Sequence, residues 1–269
     1  MHPYFLASRN YKNQNTVINV GSVDGFEVNV GGDESVFIAG PCSIEDEESA
    51  LQLALKLKYF GVKIFRAMIF KPRTSPYSFQ GLDTAGIPVL KSLKSKTGMI
   101  LLTEVREAHE ADAAFGYTDI FQIGTRNMSN FNLLKHVGGL NKPVILKRGM
   151  GSTIEELLCA AEYILAQGNQ DVILCERGIR TFETYTRFTL DISAVPAIKE
   201  LSHLPVIIDP SHASGKSSLV APLSRAGLAA GADGVMIEVH EHPEISKSDG
   251  SQAIKPEQLS AIIKGRRRF

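Results

Sequence analysis

The sequence has no net charge, few cysteines and no long apolar run, and each absence excludes a class of protein. Its 269 residues contain 29 Lys and Arg against 29 Asp and Glu, so no overall field attracts nucleic acid or an anionic membrane. No apolar run approaches the ~20 residues that a transmembrane helix needs. Three cysteines, Cys42, Cys159 and Cys175, are too few and too scattered for a disulfide framework, which favours a reducing compartment. We therefore expect a globular cytoplasmic protein that binds neither nucleic acid nor a membrane.

The two ends of the chain carry little information about function. The first twenty residues lack the charged start and the continuous apolar middle of a signal peptide. The basic run at 264–268 is short, and we expect it to be a solvated end.

Eight short apolar runs recur along the chain, each bounded by turn residues. Val, Ile, Leu and Phe dominate them with little polar alternation, which is typical of parallel strands buried on both faces. Their spacing matches that of a βα repeat, and eight repeats in one chain predict a closed (β/α)8 TIM barrel, an α/β fold. An open doubly wound sheet is the alternative. The runs are 36–39, 63–66, 99–105, 120–123, 143–147, 171–175, 205–209 and 234–239.

Helical periodicity separates the runs, and a further pattern precedes the first of them. In the helical segment 153–166, Ser152 or Thr153 with an acidic residue three positions later predicts a capping box. The segments 16–20 and 26–30 alternate and flank a turn, which is typical of a β-hairpin. We therefore predict an N-terminal extension with a hairpin at 1–35, on the floor of a catalytic barrel at 36–269.

Cationic side chains gather where the predicted strands end. In a barrel of this class, the carboxyl ends of the strands carry the chemistry. Because cations that converge in one cleft repel each other, an anionic ligand such as a phosphate or carboxylate should compensate them. Alternatively, Glu104, Glu176 and Asp209 at the same ends neutralise part of this charge, which still leaves an excess. The cations are Arg66, Lys71, Arg73, Arg126, Lys147, Arg148 and Arg177.

A second group of residues near these ends could bind a metal ion. Cys42, His212, Glu238 and Asp249 would offer a thiolate, an imidazole and two carboxylates. This mixed set suits Zn, Fe or Mn better than Mg or Ca. The spacing leaves alternatives open, because Cys42 could be a small buried apolar residue and His212 a general acid or merely a hydrogen-bonded group.

Five longer motifs stand at the ends of predicted strands: IAGPCS at 38–43, FKPRTSPY at 70–77, IGTRN at 123–127, LKRG at 146–149 and IDPSHA at 208–213. Together they resemble the signatures of 3-deoxy-D-arabino-heptulosonate 7-phosphate (DAHP) synthases. The similarity extends over residues 36–254 and is to the shorter subgroup related to 3-deoxy-D-manno-octulosonate 8-phosphate (KDO8P) synthases. It implies a TIM-barrel transferase that condenses phosphoenolpyruvate with erythrose 4-phosphate and water. The products are DAHP and phosphate, in the first step of the shikimate pathway of aromatic amino acid biosynthesis.

The resemblance also implies roles for individual residues. One divalent ion (Mn, Fe, Zn or Co) would be bound by Cys42, His212, Glu238 and Asp249. Lys147 and His212 are candidate proton donors, and Cys42 joins them in the catalytic set as a metal ligand. Phosphoenolpyruvate would be held by Arg126, Lys147 and Arg177, with Arg66 and Lys71 close to it and Glu104 and Asp209 among the substrate-binding residues. The phosphate of erythrose 4-phosphate would be taken by Arg73, Thr74 and Ser75.

Three other functions remain as alternatives. KDO8P synthases, which use arabinose 5-phosphate, resemble the chain over the same barrel but carry a Lys-Ala-Asn-Arg type of sequence where this chain has KPRTS at 71–75. Cys42 also argues against the metal-free branch of those enzymes, which has asparagine there. A non-catalytic anion-binding barrel and a sugar-phosphate aldolase that does not use phosphoenolpyruvate are the remaining alternatives.

Quaternary structure and regulation follow from the resemblance alone. It suggests a homotetramer or a dimer. Many DAHP synthases carry an added domain that senses aromatic amino acids, and residues 1–35 are too few for one. We therefore expect no intrinsic inhibition by phenylalanine, tyrosine or tryptophan.

Overall fold

The computed structural model describes residues 3–265 and contains a closed barrel of eight parallel strands, which confirms the predicted TIM barrel. The first barrel strand pairs with the last as well as with its own successor, so the sheet has no free edge. Arg266, Arg267 and Arg268 of the basic run lie outside the described residues.

The strands and helices alternate around the barrel after an initial hairpin. The hairpin strands are β1 (Ile18–Val23) and β2 (Phe26–Val30), and the barrel strands are β3 (Val36–Gly40), β4 (Ile64–Arg66), β5 (Ile100–Val105), β6 (Ile120–Ile123), β7 (Val144–Lys147), β8 (Val172–Glu176), β9 (Val206–Ile208) and β10 (Gly234–Glu238). The helices are α1 (Glu47–Tyr59), α2 (Ile87–Thr97), α3 (Ala108–Ala114), α4 (Phe131–Gly139), α5 (Ile154–Leu165), α6 (Ala194–Leu201), α7 (Pro210–Ser214), α8 (Ser217–Ala229) and α9 (Pro256–Lys264). None of the helices in residues 3–265 is long and apolar enough to cross a membrane.

Alternate residues of each barrel strand belong to two different cores. In β3, Ile38 packs inside the barrel, whereas Phe37 and Ala39 pack against the surrounding helices. In β7, Ile145 points inward between two outward residues in the same way. Both faces of every strand are therefore apolar, which explains the lack of polar alternation in the sequence. Each fully buried Ile or Leu contributes roughly 1.5–3 kcal/mol to stability by leaving water.

The N-terminal hairpin closes one end of the barrel. Ile18, Val28 and Val30 are buried in the same cluster as the inward-facing residues of the barrel strands. The turn is formed by Asp24 and Gly25, which both have positive φ (53° and 82°), as in the type I′ turns that suit the twist of a hairpin. The first strand is shifted from the predicted segment 16–20, because this two-residue turn leaves room for pairing up to Val23.

The segment before the hairpin is anchored to the outer helices by polar contacts. The carboxylate of Glu162 in α5 accepts hydrogen bonds from the backbone N–H groups of Phe5, Leu6 and Ala7 at 2.8–3.1 Å. His203, which follows α6, bridges the Leu6 carbonyl at 2.7 Å and the Thr16 hydroxyl at 2.8 Å. Residues distant in sequence thereby fix the approach of the chain to the hairpin.

Candidate active site

The carboxyl ends of the barrel strands surround a polar cavity of about 200 Å³. Six of its lining side chains are cationic and two are carboxylates, with His212 beside them. Positive charge therefore dominates the cavity that a ligand would enter. The cations are Lys71, Arg73, Arg126, Lys147, Arg177 and Arg187, and the carboxylates are Glu104 and Asp249.

The four residues predicted as metal ligands come together at one side of this cavity. Cys42, His212, Glu238 and Asp249 each offer one ligand atom, and these atoms all lie within 4.8 Å of one another. Cys42 follows β3, Glu238 ends β10, and His212 lies in α7, so the closed sheet brings distant parts of the sequence to one point. We call these residues the metal-ligand cluster.

Asp209 determines which nitrogen of His212 faces the cluster. Its Oδ2 lies 2.7 Å from Nδ1 of His212, and its Oδ1 accepts a hydrogen bond from the His212 backbone N–H at 3.0 Å. Burial lowers the pKa of His212 to about 4, so the ring is neutral at pH 7 and carries one N–H. Since a carboxylate only accepts, that hydrogen belongs on Nδ1, and the lone pair belongs on Nε2. Histidine ligands of metals are commonly oriented in this way.

The donor atoms of the cluster fit a bound cation. Nε2 of His212 lies 3.1 Å from Oε1 of Glu238, so a lone pair faces an anionic oxygen. The other Glu238 oxygen accepts a hydrogen bond from Gln252 at 2.5 Å, and Arg66 lies 3.1 Å from Oε1. A positive ion between these atoms would relieve the repulsion. The set of S, N and O donors is that of Zn, Fe, Mn or Co sites.

Cys42 and Asp249 form the opposite side of the cluster. The thiol of Cys42 donates to Oδ2 of Asp249 at 3.0 Å, and Lys71 Nζ lies 2.6 Å from the sulfur and 3.4 Å from the same oxygen. Burial, reinforced by Glu238, raises the pKa of the Cys42 thiol well above its usual value, although Lys71 opposes the rise. Burial disfavours the Asp249 carboxylate, but Lys71 and the Cys42 thiol hold its pKa below the ordinary value. A metal ion would displace the thiol proton, because thiolate is the form that binds metals.

Two of the predicted carboxylates neutralise cations at the strand ends. Lys147 donates to Oδ2 of Asp209 at 2.5 Å, and both side chains are almost fully buried. Burial opposes ionisation of Asp209, but His212 and Lys147 hold its pKa well below the ordinary value. Arg148 pairs with Glu176 at 2.8 Å and with Asp191 at 2.9 Å. Arg148 is therefore compensated within the protein by two carboxylates, and it is not among the described residues that line the cavity.

Several other cations keep unused hydrogen-bonding capacity. Arg66 is 1% exposed, yet its Nε and Nη1 atoms have no hydrogen-bond partner among residues 3–265. Arg177 has no carboxylate within 4.0 Å in the described part of the chain and stacks on Phe188 at 4.3 Å. Burial lowers the pKa of Arg177, and the nearby Arg187 adds to the effect. Buried donors without partners are costly, so an anionic ligand would stabilise this side of the cavity.

The loop after β4 supplies the residues predicted to hold the sugar phosphate. Arg73, Thr74 and Ser75 all line the cavity. Arg126, which is exposed after β6, donates to the Thr74 hydroxyl at 3.1 Å and so connects the two loops. Glu104 lines the same cavity, and its Oε2 accepts a hydrogen bond from Gln122 at 2.7 Å.

Two residues of the site were not predicted from the sequence. Gln252 donates to Glu238, and Arg187 lines the cavity beside Asp249. Neither residue stands at the end of a barrel strand, and strand ends are the sequence feature that indicates the other site residues. Arg187 lies in the return part of the loop after β8, and Gln252 precedes α9.

The DAHP synthetase I family model matches residues 10–266 of the chain. The chain belongs to this family. Among its relatives, the phospho-2-dehydro-3-deoxyheptonate aldolase of Thermotoga maritima is 49% identical over 263 residues, covering 98% of this chain and 76% of the relative. This membership bears out the motif resemblance.

Solved structures of DAHP synthase from Thermotoga maritima are similar in fold. One crystal structure has a TM-score of 0.91 and 47% identity, covering 98% of this chain and 75% of that chain. A truncated form has a TM-score of 0.87 and 44% identity, covering 96% and 93%. The 2-dehydro-3-deoxyphosphooctonate aldolase of Geobacter sulfurreducens is more distant, at 31% identity over 92% of this chain and 95% of its own length. The similarity to the DAHP synthases is thus greater than that to the octulosonate enzymes.

Proposed function

We propose that the chain is a DAHP synthase, a transferase that condenses phosphoenolpyruvate with erythrose 4-phosphate and water and releases inorganic phosphate. The observation that carries this proposal is the position of the metal-ligand cluster, which opens onto a cavity with six cations and two carboxylates. Two phosphorylated substrates, one of which also carries a carboxylate, would balance that charge. The 49% identity to a DAHP synthase supports this function over the KDO8P alternative, whose relatives are more distant.

The cations would hold the two anionic substrates in register. Arg126, Lys147 and Arg177 would hold phosphoenolpyruvate, and Lys71 lines the same cavity. Arg66, which has two unpaired nitrogens, would lie close to the bound phosphoenolpyruvate. Holding both anions in one orientation makes carbon–carbon bond formation effectively intramolecular. Cations that the fold already holds in place also cost little reorganisation during the reaction. The phosphate of erythrose 4-phosphate would bind to Arg73, Thr74 and Ser75 in the loop after β4.

The metal-ligand cluster would hold one divalent ion, with Mn, Fe, Zn and Co as candidates. When bound, such an ion supplies Lewis acidity toward the aldehyde of erythrose 4-phosphate. The one N–H of the His212 ring points to Asp209 and its Nε2 faces the cluster, so no ring hydrogen is directed toward the cavity. Lys147 is therefore the better of the two candidate proton donors.

The reaction forms one carbon–carbon bond between the substrates and breaks the carbon–oxygen bond that joins phosphoenolpyruvate to its phosphate. Carbon 3 of phosphoenolpyruvate attacks the aldehyde carbon, and the aldehyde oxygen takes a proton, for which Lys147 Nζ is the proposed donor. Water then adds to carbon 2, where positive charge has developed, and loses a proton; Glu104 in the cavity would orient it by accepting a hydrogen bond. The resulting hemiketal phosphate collapses: its hydroxyl loses a proton and becomes the ketone of the product, the carbon–oxygen bond to the phosphate breaks, and inorganic phosphate leaves with the electron pair. The two protons released from the water balance the one taken by the aldehyde oxygen and the one taken by the leaving phosphate.

Further proposals concern the organisation of the whole protein. We take residues 36–269 as the catalytic barrel and residues 1–35 as its extension. We also infer a homotetramer or dimer from the family resemblance, which light scattering of the purified protein would test.

The test of function is phosphate release after reconstitution with Mn²⁺, with phosphoenolpyruvate and either erythrose 4-phosphate or arabinose 5-phosphate. We expect release with erythrose 4-phosphate only, and its loss when the metal is removed with a chelator. Preference for arabinose 5-phosphate would assign the KDO8P activity instead. Release with neither sugar would leave an anion-binding barrel without this chemistry, and full turnover in chelator would exclude a role for the metal.

A further inference from the structure

Arg187 lies in a loop that is attached to the helix carrying His212. Residues 179–189, between β8 and α6, form a narrow finger in which Ile179 and Thr189 pair in antiparallel fashion. On the return side, the backbone N–H of Arg187 donates to the Ser214 carbonyl at 3.0 Å. The next N–H does the same to Ala213 at 2.8 Å. Carbonyls at the end of a helix lack intrahelical partners, so the finger satisfies the end of α7 and is fixed to it.

The side chain of Arg187 packs closely against Gly215 and lies near the ring of Phe188. A Cβ atom at Gly215 would lie 2.8 Å from Cβ of Arg187, so only glycine fits there. Gly215 also has a φ of +67°, which ends α7 in the left-handed conformation. The ring of Phe188 lies close to both the Arg187 and the Arg177 guanidinium groups, at 5.7 and 4.3 Å from its centre. This packing limits the directions in which the Arg187 side chain can point.

The guanidinium of Arg187 approaches one carboxylate of the metal-ligand cluster directly and contacts the side chain that holds the other. Its Nη1 lies 3.8 Å from Oδ1 of Asp249 and donates to Oε1 of Gln252 at 3.3 Å. The amide nitrogen of Gln252 donates in turn to Oε2 of Glu238 at 2.5 Å. Because Arg187 can only donate, it fixes the Gln252 amide with its oxygen toward Arg187 and its nitrogen toward Glu238.

Asp249 needs such support more than the other ligands. It lies in an irregular segment after β10, with a φ of 51°, whereas Glu238 is held in a strand and His212 in a helix. Its Oδ2 contacts Cys42 and Lys71, and its Oδ1 lies 3.8 Å from Arg187 and 3.9 Å from Arg73. The two arginines therefore favour one orientation of the carboxylate, and Arg187 is the one that also contacts Gln252.

We propose that Arg187 is a positioning residue that orients Asp249 directly and Glu238 through Gln252, and so sets the affinity and geometry of the metal site. The inference rests on the proposed function only in assigning that site to catalysis. Outer residues that orient metal ligands typically contribute 10–100-fold to metal affinity. Through the finger, the same residue joins the cluster to the end of α7.

The test compares Arg187→Gln and Arg187→Lys with Arg180→Gln, an exposed arginine of the same finger. Each metal-free protein is titrated with Co²⁺, whose visible and thiolate charge-transfer bands report ligand geometry, and phosphate release is then measured at saturating metal. We expect Arg187→Gln to weaken Co²⁺ binding about 10–100-fold and to alter the spectrum. The lysine variant should recover part of the affinity, and Arg180→Gln should match the wild type.

Two outcomes would overturn the proposal. Unchanged Co²⁺ affinity and spectrum with a raised KM for erythrose 4-phosphate would make Arg187 a substrate ligand instead. Unchanged metal binding and kinetics in both Arg187 variants would leave it no role in the site. Circular dichroism identifies a variant that fails to fold, in which case the lysine variant decides. If the wild type releases no phosphate, the proposed function fails, but the Co²⁺ titration still tests Arg187.

Discussion

Asp209 performs three tasks with one carboxylate. It caps α7, accepts a hydrogen bond from Lys147, and accepts a second one from the ring of His212. Its charge is maintained although the side chain is fully buried, because these donors surround it. The orientation of a metal ligand and that of the candidate proton donor therefore depend on the same group.

Replacing Asp209 by Asn should weaken metal binding about 10–100-fold. An amide that accepts from the His212 backbone with its oxygen turns its N–H₂ group toward Nδ1, which favours the tautomer with hydrogen on Nε2. That hydrogen would block the nitrogen that faces the cluster. The measurement is a titration of the metal-free variant with Zn²⁺ or Co²⁺.

The matched control is Asp191→Asn, which alters a carboxylate at the same end of the barrel that pairs with Arg148. It should leave metal affinity unchanged. Equal affinity of Asp209→Asn and the wild type would mean that Asp209 does not select the tautomer.

The sequence allowed the main site residues to be predicted but not their contacts. The ends of strands indicate which residues meet at the carboxyl end of the barrel, and this signal finds Cys42, Lys147 and Glu238. Arg187 and Gln252 act through side-chain contacts between segments far apart in sequence, and no local pattern marks them. Arg148 shows both cases, because its partner Glu176 ends a strand and is indicated by the sequence, whereas its second partner Asp191 lies beyond the strand ends and is not.

At the scale of elements, the hydrophobic runs predicted the barrel strands almost to the residue. The observed strands begin one residue later than predicted at Lys63, Met99, Pro143, Asp171 and Pro205. These residues precede the regular ladder, and apolar or turn character alone does not show where pairing begins. In contrast, the burial of both faces extends over the whole strand, so the unbroken run of apolar residues indicates the strand clearly.

The capping box of α5 shows how the structure resolves an ambiguity in the sequence. Ser152 and Thr153 both precede the helix, and the structure selects Thr153, whose hydroxyl accepts from the Glu156 N–H at 3.1 Å. The Glu156 carboxylate accepts from the Thr153 N–H at 2.8 Å in return. Two backbone donors at the start of the helix are thereby satisfied.

We expect Thr153→Ala to lower the free energy of unfolding by about 1 kcal/mol, because the first turn of α5 loses its cap. Urea unfolding would show a lower midpoint with an unchanged slope. Ser152→Ala is the comparison, and it should be close to neutral. If the two variants were equally destabilised, the assignment of the cap to Thr153 would be wrong.

At the scale of the whole molecule, a buried histidine links the N-terminal segment to the barrel. His203 must donate from Nε2 to the Leu6 carbonyl, so Nδ1 accepts from the Thr16 hydroxyl, which in turn accepts from Lys12. Burial, with Lys12 nearby, lowers the pKa of His203 below its ordinary value of 6.5. The folded protein therefore holds the neutral form.

The stability of the protein should fall as the pH drops below about 6.5, because the unfolded chain binds a proton at His203 that the folded chain resists. This stabilising contribution is complete above the unfolded pKa and is lost as the pH falls through the lower folded pKa. Melting temperatures between pH 8 and 5 would show it as the difference between the wild type and His203→Gln.

Glutamine keeps a donor for the Leu6 carbonyl but does not titrate, so it is the appropriate comparison. The wild type should lose more stability toward low pH than the variant, with a slope that differs by at most on the order of one proton. Parallel curves would show that His203 does not contribute to the pH dependence.

The hairpin that fills the amino-terminal end of the barrel also limits the routes by which substrates and products reach and leave the cavity. With β1 and β2 packed into the interior core, the amino-terminal end of the barrel is filled, and the cavity lies at the carboxyl ends of the strands. Both substrates must enter, and both products must leave, through the same mouth, past the same cations. A departing phosphate ion competes with the next substrate for the same arginines. The turnover rate therefore depends on how quickly those arginines release the phosphate.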